Sequence, residues 1–183
     1  MDRVLSFLED LDWTQFFRIP YYACHESKLQ SFQYSVLHCF VNCKHNLFLW
    51  NQIESDRCNN CQNVDSVEHF FYYCDTVKQL WYFVKNLIYM TFQIKFDYTV
   101  LEILLGIPCK RNTVMCVINF VILFGKKYIY NCKINQKYLS IDHFQNSLKS
   151  RIKTEIYMLK ISAEDKASSN TLNFWEKLLV QCC

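Results

Sequence analysis

From Glu26 onward, apolar residues recur at three- and four-residue steps. Leu29, Phe32, Val36, Leu37, Phe40 and Val41 fall on one helical face, with Ser27 placed to cap its start and Asn42 to end it. A second short helix is predicted over 47–53. After Asp75, which is suited to cap a helix, Val77, Leu80, Trp81, Val84, Leu87 and Ile88 form a stronger apolar stripe. Residues 91–97 alternate and fit either a short strand or a connector. VLEILLGIP (100–108) reads as a helix stopped by Gly106 and Pro108. VMCVINFVILF (114–124) reads as a buried helix that continues into GKKYIYNCK. Beyond it, Ile141, Phe144, Leu148, Ile152, Ile156 and Leu159 share a face, with Lys149, Arg151, Lys153 and Lys160 away from it. Residues 163–170 form a polar linker before a last short helix around 174–179. Residues 1–23 suggest a short helix and a turn at Pro20.

The pattern predicts a mainly α protein, and composition agrees. Only 2 glycines and 2 prolines occur in 183 residues, whereas sandwiches and barrels use both freely at turns. A hydrophobic share of 51% and an aromatic share of 17% exclude a disordered chain. The length fits one domain or two small ones. We divide it into a helical part, 1–97, that contains the cysteine-rich segment 58–74, and a basic helical part, 98–183, packing on it. Glu9, Asp10 and Asp12 interrupt any apolar leader, so the cysteines are expected in a reducing compartment, nucleus or cytoplasm. The apolar run 114–124, split by Asn119, is too short to cross a bilayer of about 30 Å, and no membrane partner is expected.

The chain carries 11 cysteines, and three of them fall into Cys58-x2-Cys61-x7-His69-x4-Cys74. Two cysteines in a tight turn can aim both sulfurs at one ion, and a histidine with a third thiolate completes a tetrahedron. His69 and Cys74 are five residues apart, about 500° around an α-helix, so one unbroken helix cannot aim both inward. His69 is therefore expected in a short helical turn and Cys74 at a break before the next helix. Four protein ligands leave no position for an activated water, so the expected cofactor is one structural Zn²⁺, stapling the helix at 29–41 to that at 76–90.

Net charge is unevenly spread. Residues 1–100 hold 8 Lys/Arg against 11 Asp/Glu, and residues 101–166 hold 11 against 5. A polyanion is expected on the second half. Lys126, Lys127, Lys133, Lys149, Arg151 and Lys153, with Lys137, Lys160 and the tyrosines Tyr128, Tyr130 and Tyr138, form a candidate phosphate-tracking face; a solvated helix face is the alternative. Cys39 and Cys43 are candidates for a second metal with Cys24, His25 or His45, against a plain reading as core cysteines. His38 reads as structural. The terminal Cys182-Cys183 pair resembles a prenylation site but lacks an upstream polybasic run.

FQYSVLHCFVNCKHNLFLW, then C-x2-C-x7-HFFYYC, then TVKQLWYFV, resemble the zinc-binding carboxy-terminal region of reverse transcriptases from LINE-type (non-LTR) retrotransposons. ILFGKKYIYNCK and HFQNSLKSRIKTEIYM are similar to the tail of such proteins in some invertebrate elements, so the resemblance spans about 13–178. It implies that Cys58, Cys61, His69 and Cys74 are the zinc ligands, that Trp81 packs in the following helix, and that the region helps bind RNA and a DNA target. Two departures remove cations: Ser35 stands where the family usually has a basic residue, and Cys39 where it often has arginine. The adjacent acids Glu9-Asp10 and Glu164-Asp165 lack the strand-forming flanks of a polymerase carboxylate pair, and no endonuclease motif is found. The expectation is a detached, non-catalytic region without a small-molecule substrate, binding RNA or single-stranded DNA through its basic second half. The alternative is a structural or protein-interaction remnant whose zinc only maintains the fold.

Overall fold

The computed structural model describes residues 12–95, 97–111, 113–162 and 167–182. The protein is mainly α, as expected: among the described residues there are helices and connections, one antiparallel bridge between Arg57 and Val64, and no strand. The described residues of 91–97 accordingly give a helix end and a connector. Glu9-Asp10 and Glu164-Asp165 lie outside the described residues.

Helix α1, Trp13–Ala23, opens under the Asp12 carboxylate, which accepts the Thr14 N–H at 3.1 Å. Pro20 does not turn the chain here; it sits inside the helix, which continues for three residues and closes when the Cys24 N–H bonds the Pro20 carbonyl. Helix α2, Ser27–Leu37, buries Leu29, Phe32, Gln33 and Val36, and Glu26 rather than Ser27 is its N-cap residue. It ends five residues before Asn42. Cys39 adopts a left-handed φ of 53°, its N–H reaches the Val36 carbonyl and the Phe40 N–H reaches that of Ser35. This is a Schellman closure without glycine. It throws Phe40, expected on the apolar face, out to 68% exposure. Asn51 closes α3, Lys44–Leu49, in the same way, so this helix lies earlier than 47–53.

Next come a five-residue π-helical turn, His69–Tyr73, and α4, Asp75–Phe92. The buried face of α4 is Val77, Leu80, Trp81, Val84, Leu87 and Ile88, as its periodicity predicts. Cys74, not Asp75, is its N-cap residue; Asp75 lies in the first turn and pairs with Lys78 at 2.6 Å. Helix α5, Val100–Leu105, begins with a capping box between Thr99 and Glu102 and ends at Gly106, whose φ of 88° favours glycine.

Helix α6, Val114–Ile134, is the centre of the molecule, with neighbours on several sides. It is the one described helix long and apolar enough to span a bilayer, and two thirds of that stretch is buried within the fold. Asn119, inside its apolar run, is buried and bonds the Ile107 backbone twice, accepting from N–H and donating to C=O, both at 2.8 Å. Gly125 lets α4 approach closely: a Cβ there would stand 3.1 Å from the Trp81 ring. Helices α7, Ile141–Ser162, and α8, Ala167–Gln181, pack against each other and onto α4 and α6. The last helix is therefore much longer than 174–179. Phe144, Leu148, Ile152, Trp175 and Leu178 join the same core as α2, α4 and α6, so residues on both sides of position 97 share one core.

Candidate metal centre

Four donor residues converge where the loop after α3 meets the start of α4. The Cys58 N–H bonds the Asn63 carbonyl at 2.8 Å, the Gln62 N–H returns to the Cys58 carbonyl at 3.0 Å, and Gln62 takes a left-handed φ of 61°. This tight turn points the Asn60 and Cys61 N–H groups at the Cys58 sulfur. The other pair is set by the π-helical turn. The Cys74 N–H donates to the His69 carbonyl at 3.0 Å, an i to i+5 closure, and Cys74 leaves the turn extended at φ −64°, ψ 131°. The expected break between His69 and Cys74 is thus a specific feature, one wider turn.

The donor atoms of Cys58, Cys61, His69 and Cys74 all lie within 4.8 Å of one another. Sulfurs at about 2.3 Å from a tetrahedral ion sit about 3.8 Å apart. The Cys58 and Cys74 sulfurs are 3.8 Å apart, and Cys61 Sγ is 3.3 Å from His69 Nε2. Cys58, His69 and Cys74 are buried and Cys61 is half-buried. The set therefore fits a metal ion, with three soft donors and one imidazole. Among the described residues no other group of three or more such donors converges.

The electrostatics suit deprotonated sulfur at one position in particular. Burial raises the Cys74 thiol, but the Thr76 hydroxyl at 3.1 Å, the Lys133 charge and the Thr76 N–H outweigh it and leave the thiol below its ordinary value. Burial raises the Cys58 thiol. Burial also holds His69 below its usual value, opposed by Asp65 and assisted by Lys133, which favours the neutral, metal-binding imidazole. The π-helical turn is anchored to its surroundings through Phe71: the Trp81 Nε1–H of α4 donates to its carbonyl at 2.6 Å, and its ring meets Phe32 of α2 edge to face.

The six predicted phosphate contacts do not form one face. Lys126 is a correction: it is 1% exposed, with its Nζ donating to Gln33 Oε1 and to the Leu104 carbonyl. It points inward because α6 is packed nearly all round. Lys133 is turned toward the metal centre and donates to the Phe70 carbonyl at 2.8 Å. Arg151 is held by Glu155 at 2.8 Å and Glu26 at 3.2 Å, in a cluster where His25 Nδ1 meets the fully buried Glu155 at 2.8 Å. Lys127 is half-buried, its ammonium 4.6 Å from the Phe32 ring centre and 5.1 Å from that of Tyr130. Lys149 is half-buried, and Lys153, Lys137 and Lys160 are exposed.

A shallow groove of about 220 Å³ beside α2 gathers Lys28, Ser31, Ser35, Phe40, Lys127 and Tyr130, over Phe32 and Val41, without a carboxylate in its lining. Phe40 rests against Trp50, ring centres 5.0 Å apart. Lys28, Phe40 and Trp50 are absent from the expected contacts because helix periodicity carries Phe40 into the core. Only the closure at Cys39 brings it to the surface. Cys24 and Cys43 are core residues, His25 and His45 pair with Glu155 and Asp56, and Cys39 is exposed, so no second metal set forms among them. His38 packs at a tilt against Tyr34, ring centres 4.2 Å apart, a structural role. Cys182 is buried, and Cys183 lies outside the described residues. Compared with protein-family models, curated proteins and solved structures, the chain matches none.

Proposed function

We propose that this chain is a non-catalytic, zinc-stapled module that binds RNA or single-stranded DNA, related to the carboxy-terminal region of LINE-type reverse transcriptases that its sequence resembles. The observation that carries the zinc reading is the closed donor set: three sulfurs and one imidazole nitrogen within 4.8 Å. Cys58, Cys61, His69 and Cys74 would hold the ion. It would supply cross-linking of the loop to α4 rather than activation of water, because four protein donors leave no open position.

The carboxylate-free groove supports the nucleic-acid reading. Two lysine ammonium groups and two serine hydroxyls are suited to a phosphodiester, and the exposed Phe40, backed by Trp50, offers a face on which a base can stack. Ser35, at the position of the missing family cation, lines this same groove, where Lys28 and Lys127 provide charge from two turns earlier and from α6. The contact set is therefore Lys28, Lys127, Phe40 and Tyr130. Lys126, Lys133 and Arg151, engaged in internal bonds, favour the second reading, a protein-interaction or structural remnant.

Fluorescence anisotropy of zinc-loaded protein with single-stranded oligonucleotides, repeated over a salt series, separates the two. Binding that falls steeply with salt is expected. Phe40→Ala should cost about 1–3 kcal/mol, and Lys28→Ala should lower the salt slope by about one phosphate contact. Absence of salt-sensitive binding to any RNA or DNA oligonucleotide leaves the second reading.

A further inference from the structure

We propose that Lys133 is the counter-cation of the metal centre, placed by the last turn of α6 between the Phe70 carbonyl and the Asp65 carboxylate. This rests on reading the four-donor cluster as a metal site. The sequence places Lys133 with the phosphate contacts; the fold commits its ammonium elsewhere.

Lys133 reaches the metal corner from more than 60 residues away in the chain. Its side chain is 13% exposed and its ammonium donates to the Phe70 carbonyl at 2.8 Å, within the π-helical turn that carries His69. The same ammonium stands 4.3 Å from the Phe70 ring centre and 3.9 Å from Asp65 Oδ1. Asp65 is buried, its Oδ2 accepts the Lys44 N–H at 3.3 Å, and its Oδ1 has no hydrogen-bond partner. That oxygen lies 3.8 Å from His69 Nε2.

These positions pose a charge problem that Lys133 solves. Three thiolates and a neutral imidazole around a divalent ion carry about one negative charge. Asp65 adds a second in the same buried corner, and unbalanced buried charge is costly. Among the described residues, Lys133 is the one cation paired with Asp65. Its ammonium is too far from Asp65 Oδ1 for a hydrogen bond, so it acts as a charge held by the Phe70 carbonyl and shared between the carboxylate and the thiolates. In this arrangement the metal centre and the end of α6 stabilise one another.

The test is a charge cycle read by metal affinity. Zinc binding to the full chain is measured by competition with a chromophoric chelator. Co²⁺ absorption, with its thiolate charge-transfer and d–d bands, reports the donor set. Lys133→Met keeps the apolar stem and removes the charge; it should weaken zinc binding about 10- to 100-fold with Co²⁺ bands unchanged. Lys133→Arg should stay close to the wild type. Asp65→Asn combined with Lys133→Met restores the original net charge and should recover most of the loss, which a purely packing role for Lys133 would not produce. If Lys133→Met does not fold, the double variant decides: folding and binding near wild-type affinity support the proposal. Wild-type affinity in Lys133→Met, or a double variant as weak as the single, overturns it. If the wild-type chain binds neither zinc nor Co²⁺, the metal reading itself fails and this proposal falls with it.

Discussion

The backbone N–H of Cys74 closes on the carbonyl of His69 at 3.0 Å, spanning five residues where an α-helix would span four. That single π-helical closure lets a histidine and a cysteine at this spacing serve one centre, and it leaves Cys74 extended as the N-cap residue of α4. A wide turn of this kind has poor intrinsic stability and depends on what it anchors.

Removing the proposed metal should therefore loosen this corner first. Hydrogen exchange with and without a strong chelator should show faster exchange across 58–74 and the first turn of α4. The middle of α6, buried by several helices, should stay protected. Equal protection of 58–74 in both states would contradict the staple.

The second test concerns Lys126. Burial pushes its ammonium well below the ordinary lysine range. At pH values between its folded pKa and about 10.4 the unfolded chain binds the proton and the folded chain does not, so this group's contribution to stability rises with pH. The destabilisation is complete below the folded value and vanishes near the unfolded one. Urea unfolding of the wild type and Lys126→Met between pH 7 and 9.5 should give a stability difference that shifts toward the wild type by up to about 1.4 kcal/mol per pH unit. Titration of the buried thiols is common to both proteins and cancels. Parallel curves would show that Lys126 stays charged in the core.

Arg151 should behave as a structural residue. Its partner Glu155 is fully buried and also accepts from His25 Nδ1 at 2.8 Å. Arg151→Met should cost about 3 kcal/mol of stability by leaving that carboxylate short of a partner. The salt slope of oligonucleotide binding should be unchanged. A lower slope without loss of stability would return Arg151 to the phosphate contacts.

Gly125→Ala tests the approach of α4 to α6. The added methyl would stand 3.1 Å from the Trp81 ring, tighter than ordinary contact, so a loss of about 1–3 kcal/mol is expected by thermal or urea unfolding. A neutral effect would mean that Trp81 shifts freely, against its 2.6 Å bond to the Phe71 carbonyl.

What could be read from the chain, and what could not, follows physical lines. The face of α4 and the four metal donors were legible because both are local: one repeats with the helix period and the other sits within 17 residues. The ends of α2 and α3 were not, since Cys39 and Asn51 take left-handed φ where the usual glycine signal is missing. In α6 the buried surface runs round the helix, so the pattern has no polar face to mark Lys126 as internal. Lys133 read as surface charge because its partner Asp65 is fixed by packing rather than by spacing; Glu155 stands one helical turn from Arg151, but its burial and the contact with Glu26 are fixed by packing. Asp65 stands four residues before His69, the separation of neighbours on a helix face, and that spacing was its only local mark.

The central claim is that one zinc ion closes this fold through Cys58, Cys61, His69 and Cys74. Native mass spectrometry of the purified chain, beside Cys61→Ser, tests it most directly. The account requires one zinc per wild-type chain, lost in the variant together with the protection of 58–74. A wild-type chain that is fully folded, free of metal and indifferent to added zinc would contradict it.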